Sequence, residues 1–236
     1  MTQWQYTYGS NPYIPYGSTV RPRPRLSTSP KEVLHVVVAA AVLSGCIALI
    51  SLRSLPLYGP AAPSTSALLG ALAFGAAAAL TGFVFHELAH KVAAQRLGYW
   101  AEFRMSPSGL ILAVVTAVIG FLFAAPGATM VGGMSDRRDW GWTSLAGPTV
   151  NLIQGTAFFG AALVLWQLDV LTAVLPALVL LAFFNGWFAT FNLIPFGPLD
   201  GNKVLHWNMG YWAGAFALSA GLAASMFLLF SGIIPL

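Results

Sequence analysis

The stretch FHELAH, residues 85–90, places residue types that can do hydrolytic chemistry at the end of an otherwise apolar segment. On a helix, His86 and His90 lie one turn apart on the same face, so that both imidazoles can bind one zinc ion. Glu87 then lies beside the metal without binding it, where it can take a proton from metal-bound water. Ionisable groups are costly in a membrane and mark functional sites there. The alternative interpretation is a pair of interfacial histidines without a metal.

Zinc requires a third protein ligand, and the positions of the acidic residues favour Asp200. This residue follows an apolar segment directly, in FNLIPFGPLDGNK. The helix is broken there by Pro195, Gly197, Pro198 and Gly201. The backbone that such a break exposes needs a cavity lined by protein or water. By contrast, Asp136 and Asp139 have arginine neighbours, and Glu102 lies in a predicted strand.

The combination of HELAH with FNLIPFGPLDG resembles the site-2 protease family of intramembrane zinc metalloproteases. That family carries an HExxH motif on one transmembrane helix and an NxxPxxxLDG motif on another. The segment LAGPTVN, residues 145–151, is similar to a further element of the family, and the resemblance extends over residues 67–205. One residue departs from the pattern, because Asn202 stands where many relatives have a second glycine.

The resemblance implies a role for each matched residue. His86, His90 and Asp200 would bind one zinc ion per chain, Glu87 would be the catalytic acid/base, and Asn192 would lie near the substrate carbonyl. The implied activity is that of a zinc metalloendopeptidase acting on a membrane protein or a transmembrane peptide. Two alternatives remain open: a catalytically silent relative that serves as a membrane scaffold for a partner, and a membrane metal transporter.

The composition predicts a membrane protein, because 57% of the 236 residues are hydrophobic, 8% are charged, and the mean hydropathy is +0.74. Runs long enough to span are predicted at Val33–Leu52, Ala67–Phe85 (helical to about Leu97), Thr143–Leu168, Val170–Ile194 and Tyr211–Ile234. We therefore expect an all-α polytopic membrane protein of about five to six transmembrane helices. A short β element and a re-entrant segment near the active site complete the expected fold.

Residues 1–30 are predicted to be a flexible Tyr/Pro-rich tail, followed by a transmembrane metalloprotease domain over residues 31–236. Docking of the tail to a partner protein is an open alternative. Four basic residues precede the first helix, Arg21, Arg23, Arg25 and Lys31. By the positive-inside rule, these residues predict an N-terminus on the cytosolic side. We therefore expect a multi-pass protein of the cell membrane, embedded in the lipid bilayer, with its active site toward the cytosol. No basic stripe lies elsewhere in the sequence, which argues against nucleic acid as a partner.

The apolar segment Gly109–Ala125 is predicted to re-enter the membrane without crossing it. His86 and His90 lie before this segment and Asp200 after it, with two further spans between them. A third crossing would leave Asp200 about 30 Å from the histidines, on the other side of the membrane. As a helix the segment would reach only about 25 Å, which is short of the hydrocarbon thickness. A true sixth span is the alternative, and it would make the resemblance misleading.

Three shorter features complete the expectations. The alternation in YWAEFRM predicts a strand over Tyr99–Met105, whose edge could pair with an extended substrate segment. Residues 126–142 are predicted to form a Gly-rich polar loop. The amides of Asn151, Gln154 and Asn185 are interpreted as hydrogen-bonding groups between helices.

Overall fold

The computed structural model describes residues 26–54 and 64–230. Most of the predicted N-terminal tail and the end of the predicted last helix therefore lie outside the described residues. Along the described chain the elements are α1 (Pro30–Ser54), α2 (Thr65–Ala79), a π-helical turn (Leu80–Val84), α3 (Phe85–Arg96), β1 (Trp100–Met105), α4 (Pro107–Val118), β2 (Gly127–Gly132), α5 (Arg137–Gln167), a 3₁₀ turn (Thr172–Val174), α6 (Leu175–Asn192), α7 (Asp200–Trp207) and α8 (Met209–Phe230).

Within the described residues, five helices are long and apolar enough to cross a membrane. They are Pro30–Arg53, Thr65–Arg96, Arg137–Gln167, Leu175–Asn192 and Met209–Leu229. Each contains or overlaps one of the predicted spans. The prediction of a largely helical, multi-pass membrane protein with a short β element is thus confirmed.

The segment between β1 and β2 turns back on itself, as predicted, and we call residues 106–127 the re-entrant hairpin. Its helix α4 has 12 residues and spans about 18 Å, too little to cross a bilayer. The chain reverses after α4 at Gly120, whose φ of +100° is readily adopted by glycine. It then returns without regular secondary structure, and Ser106 N donates to the Pro126 carbonyl at 2.8 Å. The two ends of the hairpin therefore lie next to each other.

Glycine at position 109 permits the close return of the chain. A methyl group there would overlap the carbonyl of Ala125. At the far end, the Thr116 hydroxyl lies 3.1 Å from Phe123 N and 3.2 Å from Phe123 O. Side-chain bonds of this kind satisfy backbone groups that have no helix or ladder partner.

The strands β1 and β2 pair antiparallel, with Trp100 opposite Gly132 and Met105 opposite Gly127. The prediction that residues 126–142 form a loop is therefore wrong in two parts. Residues 127–132 form a strand because β1 supplies a hydrogen-bonding partner that local sequence cannot reveal. Helix α5 begins at Arg137, because the Asp136 carboxylate caps it by accepting the amide of Arg138 at 2.7 Å.

The outer edge of β1 is covered by the beginning of α1. Phe103 N donates to Glu32 Oε1 at 3.0 Å, and Met105 N donates to His35 Nδ1 at 3.3 Å. The predicted pairing of a substrate strand with this edge is therefore wrong, because its backbone donors already have partners. The other outer edge of the sheet belongs to β2.

A buried ion pair fixes α1 beside α3. Lys91 Nζ lies 2.5 Å from Glu32 Oε2 and 2.7 Å from the Thr28 hydroxyl. Removing one partner of such a pair leaves an uncompensated buried charge, which costs about 3–5 kcal/mol. The helix that carries the histidines is thus held against the first span.

Small residues allow α1 and α2 to pack closely. A methyl group at Gly75 would overlap the Ser44 carbonyl of α1. The main core beside this contact is formed by side chains from α1, α2 and α6, among them Leu43, Ile47 and Phe184. Small residues in α2, such as Gly75, thus allow tight helix packing.

Candidate metal centre

Three predicted ligands meet at one point inside the protein. His86 Nε2 and His90 Nε2 lie 3.0 Å apart, and Asp200 Oδ2 lies 3.3 Å from the first and 3.0 Å from the second. The histidines come from α3 and the aspartate is the first residue of α7. All three residues are buried. In the described part of the chain, this is the one group of three or more His, Cys, Asp or Glu residues placed to hold a metal.

The hydrogen bond at His90 defines the tautomer of its ring. Nδ1 lies 2.7 Å from the Thr143 carbonyl oxygen. A carbonyl can only accept, so Nδ1 carries the proton and donates it. In the neutral ring the lone pair of Nε2 then faces the centre.

Asn151 plays the same part for His86. Its Nδ2 donates to the Gly82 carbonyl at 2.8 Å and lies 3.3 Å from Asn185 Oδ1, which places its own Oδ1 toward the ring. That oxygen lies 2.7 Å from His86 Nδ1 and accepts its proton. The interpretation of Asn151 as a purely interhelical amide was therefore incomplete, whereas Gln154 and Asn185 do bond between helices.

The donor set calls for a cation. Two imidazole lone pairs and a carboxylate oxygen converge, and such acceptors repel one another unless a positive charge lies between them. Ligands about 2.0 Å from a tetrahedral zinc ion lie about 3.3 Å apart. The distances found here, 3.0–3.3 Å, are close to that value. The residues present therefore fit zinc.

Gly147 keeps the space beside the imidazoles open. A methyl group at this position of α5 would overlap His90 Nε2 and lie 2.7 Å from His86 Nε2. The space that a Cβ atom would fill is thus next to both metal-binding nitrogen atoms. Only glycine leaves it free.

A lysine lies beside Asp200. Burial raises the pKa of this carboxyl group, whereas the charge of Lys203 lowers it. Lys203 Nζ lies 3.5 Å from Asp200 Oδ1, the oxygen atom that faces away from the histidines.

A π-helical turn at Leu80–Val84 directly precedes the histidines. Such turns change which face of a helix the following residues occupy, and they are common at functional sites. The carbonyl of Thr81 accepts from Gln154 at 3.1 Å, and that of Gly82 accepts from Asn151. The sequence shows no signal for this turn beyond the two amides that bond to it.

Glu87 lies at the edge of the centre and is held by β2. Its Oε2 accepts from Thr129 N at 2.9 Å and lies 2.8 Å from the Thr129 hydroxyl. Both residues line a cavity of about 340 Å³ that also reaches all three ligands. The sequence predicted the position of Glu87 beside the metal centre, but it gave no indication of Thr129.

Asn192 lines the same cavity. Its Nδ2 donates to the Phe188 carbonyl within α6 at 2.9 Å, which uses one of its two amide protons. The second proton remains for a group in the cavity. This placement is compatible with the predicted contact to a substrate carbonyl.

The other candidate ligands lie elsewhere. Asp139 accepts from the Tyr99 hydroxyl at 2.6 Å, and the Asp136 carboxylate caps the start of α5. Glu102 pairs with Arg104 and accepts from Ser29. The structure thus selects Asp200 from the acids that the sequence left open.

The fold and the site together define a polytopic membrane protein with a buried His/His/Asp centre that fits zinc. The chain is 36% identical over 141 residues to a protein of Methanocaldococcus jannaschii whose name is "putative zinc metalloprotease", covering 56% of this chain and 69% of that protein. The chain belongs to this zinc metalloprotease family. No family model matches the chain. No solved structure matches it either.

Proposed function

We propose that this protein is an intramembrane zinc metalloendopeptidase of the site-2 protease type, which hydrolyses peptide bonds of transmembrane substrates. The observation that carries the proposal is the convergence of His86, His90 and Asp200, with Glu87 on the wall of the same cavity. Two of these ligands lie on a helix long and apolar enough to span a membrane. A centre in this position suits a substrate that is itself embedded in the bilayer.

His86 Nε2, His90 Nε2 and Asp200 Oδ2 would hold one zinc ion per chain, which supplies Lewis-acid polarisation and an acidified water. Asn151 and the Thr143 carbonyl fix the tautomers of the two imidazoles. The role of Glu87 is to accept the proton of the attacking water and later to give it to the leaving amine.

Asn192 contributes by orientation and hydrogen bonding. Its free amide proton can stabilise the negative charge that develops on the substrate carbonyl oxygen. Phe123, Phe188 and Phe191 give this cavity apolar walls. In such surroundings electrostatic interactions are stronger than in water.

An apolar groove supports a membrane-embedded substrate. A second cavity of about 310 Å³ adjoins the first, and the two share Phe123, Phe188 and Phe191. All of its lining residues are apolar or aromatic. A hydrophobic segment that unwinds next to α6 could reach the metal centre along this path.

The outer edge of β2 is the proposed docking edge for the unwound substrate, at the outward backbone groups of Gly127 and Val131, because Thr129 N already donates to Glu87 Oε2. The amides of Phe103 and Met105 point away from β2. In the antiparallel register, the backbone groups of their partners Thr129 and Gly127 therefore point to the outer side of β2. Val131 has the same orientation, and all three line the cavity. Strand addition would present an extended peptide beside Glu87.

Replacing Val131 by proline removes one outward amide while leaving the ladder to β1 intact. We expect KM for a transmembrane peptide to rise about fivefold with full zinc content, since one main-chain hydrogen bond is worth about 1 kcal/mol. Val131→Ala is the matched control and should keep a KM near that of wild type. Zinc loss in parallel with the loss of cleavage would contradict substrate docking at this edge.

The central experiment is zinc analysis of the purified protein beside His90→Ala and Asp200→Ala, with cleavage of a model transmembrane peptide measured in parallel. We expect about one zinc per chain for wild type and about tenfold to 100-fold weaker zinc binding in each variant, with cleavage lost accordingly. A wild-type protein that binds zinc but transports it into proteoliposomes without cleaving peptide would favour a transporter instead.

We further propose that the N-terminus and the active site face the cytosol of a cell in whose membrane the protein is embedded. Basic residues precede α1, and Arg96, Arg104, Arg137 and Arg138 lie at the same end as the candidate centre, near the ends of α3, β1 and α5. Labelling a cysteine introduced at Ser135 from each side of sealed vesicles tests this orientation. Labelling from the outside alone would contradict it.

A further inference from the structure

We infer that Thr129 is a positioning residue for the proposed general base. It would act by holding Glu87 in one orientation toward the reaction site, and the inference rests on the proposed function. Thr129 lies outside both sequence motifs, on the strand that follows the re-entrant hairpin. The hairpin would thus belong to the catalytic machinery through this contact.

The contact has two independent donors. Thr129 N donates to Glu87 Oε2 at 2.9 Å, and the Thr129 hydroxyl lies 2.8 Å from the same oxygen and 3.1 Å from the Glu87 carbonyl. The hydroxyl has one proton, which the closer carboxylate oxygen accepts better. Two donors on one oxygen fix both the rotation and the direction of the carboxylate.

The second oxygen of Glu87 is left for chemistry. Among the described residues, no donor lies within hydrogen-bonding distance of Oε1. The Glu87 side chain lines the cavity that contains His86, His90 and Asp200. Anchoring through Oε2 leaves Oε1 as the oxygen atom to which the proposed proton uptake is assigned.

Threonine suits this position for a structural reason. The register of the sheet directs its amide to the outer edge of β2, and a β-branched side chain is favourable in a strand. The outer edge thus supplies one donor from the backbone, and the side chain supplies the other. An unanchored glutamate would sample several rotamers, and small displacements of a catalytic group cost much of the rate.

The sheet in turn is fixed to the first span. Phe103, directly opposite Thr129, donates its amide to Glu32, and Glu32 is paired with Lys91 of α3. On the β1 side, Thr129 is therefore supported by the buried network of Phe103, Glu32 and Lys91, and Lys91 belongs to the histidine-bearing helix α3. This arrangement places the base and two metal ligands in one rigid unit.

The kinetic test compares Thr129→Val, Thr129→Ser and wild type on the same transmembrane peptide. Valine keeps the shape and the backbone amide but removes the hydroxyl, and we expect kcat to fall about tenfold with KM within about twofold, because orientation is lost but binding is not. Serine should restore most of kcat. Thr190→Val, which removes a hydroxyl bonded within α6, is the matched control and should leave kcat unchanged.

A second test is independent of activity and of zinc. In protein labelled with ¹⁵N-threonine, the amide proton of Thr129 should shift upfield in Glu87→Ala, because it loses its carboxylate acceptor. The amide of Thr190 should not move. This measurement remains informative if the wild type proves to have no peptidase activity. The proposed function would then be wrong, but the hydrogen bond between Thr129 and Glu87 would still be tested.

Several outcomes would overturn the inference. They are an unchanged kcat in Thr129→Val, a failure of Thr129→Ser to restore it, and an amide signal that is insensitive to Glu87→Ala. A rise in kcat would also overturn it, since the contact would then restrain the base in an unproductive position. Loss of zinc in Thr129→Val would indicate a structural role instead.

Discussion

Gly147→Ala is expected to abolish zinc binding while leaving the membrane domain folded. The added methyl group would overlap His90 Nε2 and lie 2.7 Å from His86 Nε2, so it would occupy the space next to the metal-binding nitrogen atoms. Both histidines are held at Nδ1, by Asn151 and by the Thr143 carbonyl, and cannot turn away without breaking a buried hydrogen bond. We expect zinc affinity to fall at least about 100-fold and peptide cleavage to fall with it.

The matched control is Gly160→Ala on the same helix. Position 160 has nothing within 4 Å of an added Cβ, so the substitution only improves helix propensity. It should keep one zinc per chain and wild-type cleavage. Metal analysis and circular dichroism of both variants check the result, and full zinc occupancy in Gly147→Ala would show that the ion does not lie where the three donors converge.

Glu87→Gln is expected to bind zinc as wild type does and to lose about 100- to 10,000-fold in kcat, the range that a general base contributes. The amide has nearly the shape of the carboxylate, and its Oε1 can still accept from Thr129. It cannot take up a proton at neutral pH. Single-turnover cleavage of a transmembrane peptide by zinc-loaded protein measures the effect.

This substitution also distinguishes an enzyme from a silent relative. A protein that acts as a scaffold would keep its cellular effect in Glu87→Gln, because fold and metal content are retained. Glu102→Gln is the matched control, since it removes a carboxylate that pairs with Arg104 on β1 and lies outside the cavity. It should change kcat by no more than about twofold, because this partly buried ion pair lies outside the cavity.

The membrane architecture could be predicted from the sequence because it follows from composition and length. An apolar run must exceed about 18 residues to cross a bilayer, and five such runs are seen in the described residues as helices. The return of residues 109–125 could also be predicted. Because the histidine pair and Asp200 must meet at one ion, the chain between them must cross the membrane an even number of times. This is a constraint on topology and not on local structure.

The pairing of residues 127–132 with β1 could not be predicted in this way. GATMVG has a weak strand pattern, and its ladder depends on a partner brought close by the hairpin. For the same reason the sequence suggested the wrong edge for substrate docking. The edge of β1 is closed by Glu32 and His35, which lie some 70 residues earlier in the chain.

By itself, the sequence determined the residue types of the centre and the segments that carry them. His86, Glu87 and His90 share one helix, so their spacing alone defines their relative positions. Only the tertiary structure decided what surrounds them: Asn151 on one imidazole, Thr129 on the glutamate, and the absence of a side chain at Gly147. The physical reason is range, because helical spacing acts over a single turn, whereas these contacts join segments 42 and 65 residues apart.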